Sequence, residues 1–233
     1  MGLEVEHRPS PSPYVARVWR SRSSGVARMA ALAHPRWDLV FWEEGGRVSA
    51  AVQGPESVAA VAPVPQDATF VGITFALGTT LAHHPVARLV DGSAEVPDVT
   101  RRSFRLGGSS WHRPTYDNAE SLVRALVREG VLVRDPVVAE AAAGGSPDLS
   151  LRSLQRRFVS TTGLTAGAVR RIDRAREAAV LVQEGVPLSD VVHRLGYFDQ
   201  PHLARSLRRF VGRTATELRS PTPDEPLSLL YKT

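Results

Sequence analysis

One pattern occurs twice in this chain, 49 residues apart. The first copy starts at Ser150 and runs through Leu154, Arg156, Phe158, Gly163, Thr165 and Ala166. The second starts at Asp199 and runs through Leu203, Arg205, Leu207, Gly212, Thr214 and Ala215. Each copy opens on a side chain that caps helix N-termini, sets apolar residues on one stripe and basic residues on another, and stops at glycine. Two copies of one basic amphipathic helix suit a surface that makes the same contact twice, and duplex DNA presents its major groove once per turn.

The charge follows the repeat. Residues 149–220 hold 13 Arg against 6 acidic groups, whereas residues 1–148 hold 15 Arg against 16, so the net +5 of the chain belongs to the repeated segment. Arg supplies 28 of the 29 basic residues, and its planar fork matches phosphate and guanine edges. With 233 residues, 42% hydrophobic and 23% charged, the chain has room for two modest globular domains. No apolar run approaches the roughly 18 residues of a membrane span. Glu4, Glu6 and a Pro/Ser-rich stretch stand where a secretory signal would be, and the absence of Cys excludes disulfides, thiolate metal sites and a Cys nucleophile. A cytoplasmic protein is expected.

Along the chain, residues 1–13 read as a flexible lead-in. Residues 14–20, 38–42, 48–52 and 69–75 read as strands, with Gly45-Gly46 turning a hairpin. A short helix is expected near 80–89. Asn118 is placed to cap a helix reaching about residue 129, after which no strand is expected. Helices follow at 136–143, 150–161, 166–183, 188–195, 199–211 and 214–219. A short helix, a glycine turn and a basic helix make a helix-turn-helix, and the arrangement comes twice. The fold class expected is α+β, divided into 1–117, 118–220 and a tail, 221–233.

On the first repeat helix, spacing puts Leu151, Leu154 and Phe158 inward and Arg152, Gln155 and Arg156 on another stripe. On the second, Leu203, Leu207 and Phe210 face the core, while His202, Arg205 and Arg209 share another face beside Arg208. Arg and Gln can pair with guanine and adenine edges in the major groove. A single such helix would more commonly be a solvated amphipathic face; the duplication favours DNA. Arg157, Arg170, Arg174, Arg194, Arg208, Arg209 and Arg213 are candidate phosphate partners.

These residues resemble the AraC/XylS family of transcription regulators across roughly 120–220. The resemblance rests on Ser150-x-Arg152-x-Leu154-Gln155-Arg156-x-Phe158 with Thr162-Gly163, on Arg171-Ile172-x-x-Ala175, on Leu195-Gly196-Tyr197-x-Asp199-Gln200-x-His202-Leu203-x-Arg205, and on Gly212-x-Thr214 followed by Arg219. It implies a seven-helix domain whose two recognition helices enter successive major grooves. By position, base contacts fall to Arg152, Gln155, Arg156, Gln200, Arg205 and, as apolar contacts, Pro201 and Ala204; the helical stripe adds His202. The chain departs from the pattern at Leu207, where Phe is usual, at Ala215, where Pro is usual, and in its Gly144–Pro147 turn.

The N-terminal half is similar to the cupin-like barrels found ahead of some of these domains, through Pro35-x-x-Asp38-Leu39-Val40-Phe41, Gly54-Pro55 and Val71-Gly72-Ile73-x-Phe75-x-x-Gly78. The resemblance implies a sensor or dimerisation domain. Double-stranded DNA, RNA polymerase, a small-molecule effector and a second copy of the chain are the candidate partners. Trp37, Phe41, Phe70 and Phe75, with Trp19 and Trp42 near them in sequence, could line an effector pocket, although ordinary core packing is the commoner reason for such residues. Adjacent His83-His84 would point to opposite sides of a strand and no His-x-His occurs, so neither a metal nor another cofactor is expected, nor any catalytic residue. The rival readings are a cupin-type metal enzyme with an accessory helical domain and an effector-independent architectural DNA binder.

Overall fold

Strand-forming residues dominate the first half, and the computed structural model, which describes residues 2–25 and 28–220, pairs nearly all of them. The expected tail at 221–233 lies outside the described residues. Six strands form an antiparallel sheet: β1 (Gly2–Arg8), β2 (Val15–Ser24), β4 (Asp38–Glu44), β5 (Arg47–Gln53), β7 (Thr69–Phe75) and β9 (Ser93–Glu95), in the order β1-β2-β7-β4-β5-β9. Three two-stranded ribbons complete the strands: β3 (Arg28–Ala31) with β6 (Ala60–Pro63), β8 (Thr79–Leu81) with β12 (Leu132–Arg134), and β10 (Ser103–Leu106) with β11 (Ser109–His112).

Among the described residues none of these sheets closes, so the expected barrel is replaced by an open sheet. Its edges are β1 and the three-residue strand β9, which do not pair with each other. The residues expected to form a flexible lead-in instead build edge strand β1, which pairs with β2 over its whole length. Arg8 at its end donates to Glu120 at 2.6 and 2.8 Å and to the Tyr116 carbonyl. That ion pair holds the Glu120 carboxyl down at about 2.

One face of the sheet carries Val18, Leu39, Phe41, Val52, Ile73 and Phe75, and α1 (Ala119–Arg128) covers it with Leu122, Val123 and Leu126. This first helix after residue 117 therefore belongs to the sheet's core. The helix expected near 80–89 is instead strand β8 and a 3-10 turn at Val86–Leu89. Pro85 disfavours helical conformation at His84, which stops a helix from running through. Strand β12, where none was expected, is too short for a period to show in sequence; it forms because β8 offers Leu81 opposite Leu132.

The helical half comprises α2 (Pro136–Ala142), α3 (Leu151–Thr162), α4 (Ala166–Gln183), α5 (Leu188–Leu195), α6 (Gln200–Phe210) and α7 (Ala215–Arg219). Its core is built round α4, whose Val169, Ile172, Ala175, Ala178, Ala179 and Val182 are buried against Phe158, Val191, Leu203, Leu207 and Leu218. Small residues on α4 let its neighbours approach closely. The same cluster takes in Ala30, Leu32 and Ala33 from the N-terminal half, so the two halves share buried surface.

Candidate nucleic-acid interface

Both repeat helices are capped as their sequences require. The Ser150 hydroxyl accepts from the Ser153 amide at 3.2 Å, and the Asp199 carboxylate accepts from the His202 amide at 2.6 Å. α3 ends on Gly163 with φ of 76°, and the turn before α6 passes through Gly196 with φ of 65°. Each cap satisfies a backbone donor that would otherwise be orphaned, worth about 1 kcal/mol.

On α6 the inward stripe is as the spacing predicts: Leu203, Leu207 and Phe210 are buried, and burying each contributes roughly 1.5–3 kcal/mol. Leu207, standing where Phe is usual, is fully enclosed and leaves no exposed edge. α3 buries less. Phe158 is enclosed and Leu154 half-buried, but Leu151 is 78% exposed, contrary to expectation. Leu151 is the first residue of its helix, where the chain enters from Ser150.

The outward stripes carry the candidate base contacts. Arg152, Gln155, Arg156, Gln200 and Arg205 are all exposed, and among the described residues no hydrogen bond or ion pair engages their side chains. Pro201 and Ala204 are exposed beside them. His202 is placed differently from the others. It is half-buried, its ring meets Tyr197 edge-on at 5.2 Å between centroids, and its Nδ1 accepts from the Phe198 amide at 3.4 Å. That geometry makes His202 a brace for the turn before α6. Phe198, in the same turn, is 90% exposed.

The candidate phosphate partners divide likewise. Arg170 and Arg194 are exposed. Arg157 donates to Asp135 at 2.6 Å, tying α3 to the cap of α2. Arg174 donates to the Gly196 carbonyl at 3.3 Å and stacks over Tyr197 at 4.4 Å, which fastens α4 to the second helix-turn-helix. Arg208 reaches Glu217 at 3.5 Å, Arg209 lies over the Phe210 ring, and Arg213 is half-buried.

Backbone contacts join this surface to the N-terminal half. The Ala33 and Ala59 amides donate to the Phe210 and Arg209 carbonyls at 2.8 and 2.9 Å, so they fill acceptor positions left open at the end of α6. Arg176 on α4 donates to the Ala33 carbonyl at 3.0 Å, and Arg36 meets Asp173 at 3.5 Å. Gly163 packs against Ala87 and Val90.

Of the aromatic residues expected to line a pocket, Trp37, Phe41 and Phe75 pack into the sheet's core and Phe70 lies apart from them. Trp37 stacks on Phe75 at 3.9 Å, Phe41 meets Phe104 edge-on, and all four are buried in the sheet's core. Phe70 pairs across the ladder with Trp42, in the alternate register from Phe41 and therefore on the opposite face. What sequence reading missed is a buried polar cluster where the sheet meets α4. Asp38 accepts from Trp19 Nε1 at 3.0 Å and from the Thr74 hydroxyl, with His34 Nδ1 at 3.8 Å. Burial pushes Asp38 up, while burial together with Arg176, Arg17 and Arg36 holds the His34 imidazole well below its usual value and therefore neutral. Burial likewise lowers Arg176, to about 10. The signal available in sequence was Arg17, two residues from Trp19 on a strand otherwise apolar around it. Among the described residues no cluster of His and acidic groups could hold a metal ion, and no helix is long and apolar enough to cross a membrane.

Residues 148–220 match the family model described as a helix-turn-helix domain. The chain is also 37% identical over 73 residues to the HTH-type transcriptional regulator VirS of two Mycobacterium tuberculosis strains, CDC 1551 / Oshkosh and ATCC 25618 / H37Rv. That alignment covers 31% of this chain and 22% of each relative, so the chain spans about a fifth of the length of the curated relatives it matches. No solved structure matches it. The matched segment contains both repeat helices and none of the sheet.

Proposed function

We propose that this protein is a sequence-specific DNA-binding transcription regulator that sets α3 and α6 into successive major grooves. The observation that carries the reading is the pair of capped helices, α6 buried along its apolar stripe and α3 anchored by Phe158, each presenting exposed Arg and Gln side chains with no protein partner among the described residues. Such side chains read guanine and adenine by paired hydrogen bonds. The helix-turn-helix match and the regulator named among the relatives support the same reading. The N-terminal half serves as a cupin-like sensor or dimerisation module with an open sheet. The whole protein acts on DNA in the cytoplasm as a non-enzymatic partner of RNA polymerase, alone or as a homodimer.

Selection of bound sites from random DNA tests the proposal. Two short blocks about 10 bp apart are expected, one for each helix; a single block would leave α3 outside the groove, and equal affinity for selected and random DNA at physiological salt would favour an architectural binder. On the selected site, Arg156→Ala should cost about 2 kcal/mol and relax the choice of base at one position only. A uniform loss over all sequences, measured by competition binding, would move Arg156 to the phosphates. Neutralising about five phosphates should make log K fall against log salt with a slope of about −4 to −5; a slope near zero would sink groove binding altogether. Stoichiometric transition metal with turnover in purified protein would establish the rival metal enzyme.

A further inference from the structure

The turn that leads into α6 is fixed at each of its residues. Arg174 donates to the Gly196 carbonyl and covers the Tyr197 ring, which is itself buried and shares a hydrogen bond with the Ser206 hydroxyl at 3.1 Å. The Phe198 amide donates to His202, and the Asp199 carboxylate caps the helix. The Phe198 ring takes no part in this bracing and stands 90% exposed. We propose, resting on the DNA-binding reading above, that Phe198 is a specificity-determining residue whose ring packs on the C5-methyl of a thymine in the groove that α6 enters.

Position, more than exposure, gives the ring this role. Phe198 directly precedes the N-cap Asp199, where an apolar side chain commonly folds back onto the fourth residue of the helix. That residue is Leu203, which is enclosed in the core while Phe198 stays in solvent, so the ring does not serve as a staple. The N-terminal residues of a recognition helix are the ones that meet base edges. Phe198 lies just ahead of that end, beside exposed Gln200 and Pro201.

A phenyl ring has no hydrogen-bonding group with which to read a base. The thymine methyl is the apolar feature that an unmodified base pair presents in the major groove, and it is the feature a Phe side chain can contact. Pro201 and Ala204 are exposed and also lack hydrogen-bonding side chains, so α6 offers the groove an apolar side that α3, with Arg152, Gln155 and Arg156, does not. Because the backbone on both sides of Phe198 is already held, the contact requires little further ordering of the turn on binding.

Binding of the full chain to its selected site, with each thymine replaced in turn by uracil, tests the contact, since uracil lacks only the methyl. One replacement should weaken the wild type about fourfold, the effect of leaving one methyl unburied. Phe198→Ala should bind the thymine site as weakly as the wild type binds that uracil site, and should not respond to the replacement. Its urea midpoint should match the wild type's; a lower midpoint would make Phe198 a structural residue and overturn the proposal. A loss in Phe198→Ala that is the same with uracil as with thymine would place the ring on sugar or phosphate, and overturn it too. Should the variant fail to fold, the wild type decides. With 5-iodouracil at the sensitive position, iodine stands where the methyl was, and irradiation should join that base to Phe198; an adduct elsewhere, or none, rejects the contact. A selected site that is insensitive to every uracil overturns the contact alone, whereas selection that yields no site overturns the DNA-binding reading with it.

Discussion

Gly163→Ala should destabilise this protein by about 3 kcal/mol, while Gly212→Ala, at the matching position of the repeat, should cost about half as much. Both glycines sit at positive φ, 76° and 74°, where alanine carries an intrinsic penalty of roughly 1–2 kcal/mol. The surroundings then separate them. A Cβ on Gly163 would lie 2.3 Å from Val90 Cγ2 and 2.8 Å from the Ala87 carbonyl oxygen, and that backbone oxygen cannot step aside without moving the 3-10 turn. Such overpacking costs about 1–3 kcal/mol more. On Gly212 the nearest atom is Ala59 Cβ at 3.2 Å, a contact that a shift of a few tenths of an ångström relieves. Urea unfolding of the two variants measures the difference. Equal losses would show that α3 is not held against the N-terminal half at Gly163.

Glu56→Gln should gain about 3 kcal/mol of stability relative to the wild type between pH 5 and pH 8. Burial, followed by the neighbouring Asp38 carboxylate and more weakly Asp91, pushes the Glu56 carboxyl up to about 7 from 4.5, against the pull of Arg176. In the unfolded chain that proton is lost near 4.5; in the folded protein it is kept until about 7. Across this window the native state holds a proton that the unfolded state does not, so raising the pH favours unfolding. His34 has the opposite slope. Its folded value lies well below 6.5, so acidification favours the unfolded state, which accepts the proton readily. The two opposing slopes flatten the wild-type profile. Subtracting the variant's profile removes the His34 contribution common to both and leaves that of Glu56. Denaturation midpoints at several pH values read it out, and parallel profiles for the two proteins would place Glu56 in solvent.

The repeat was legible because helices announce themselves locally. Ser150 and Asp199 cap what they were expected to cap, and the inward stripe of α6 follows from spacing alone. The strands at 38–44, 47–53 and 69–75 were legible for the same reason, since alternation is a property of neighbouring residues. Leu151 shows where this fails: spacing assigns it to a stripe, but only the partner element decides whether anything covers that end of the stripe. β12 and the ribbons were hidden because three or four residues cannot display a period, and they pair only across distant parts of the chain.

The candidate site divides along the same line. Exposed Arg152, Arg156 and Arg205 were available from the sequence, because a side chain opposite a buried stripe faces solvent whatever the rest of the fold does. The bracing of His202 against Tyr197, the commitment of Arg157 and Arg174 to internal partners, and the separation of Phe70 from Phe41 all needed tertiary contacts. By itself, then, the sequence determined two basic helices, their caps and the charge they carry, through short-range periodicity and hydrogen bonding. Only the tertiary structure decided that, among the described residues, the sheet stays open, that Ala30, Leu32 and Ala33 share a core with α4, and that Arg17 and Arg176 line one cavity. Those outcomes depend on which surfaces meet, and meeting brings together residues as far apart as Arg17 and Arg176, which local patterning does not encode.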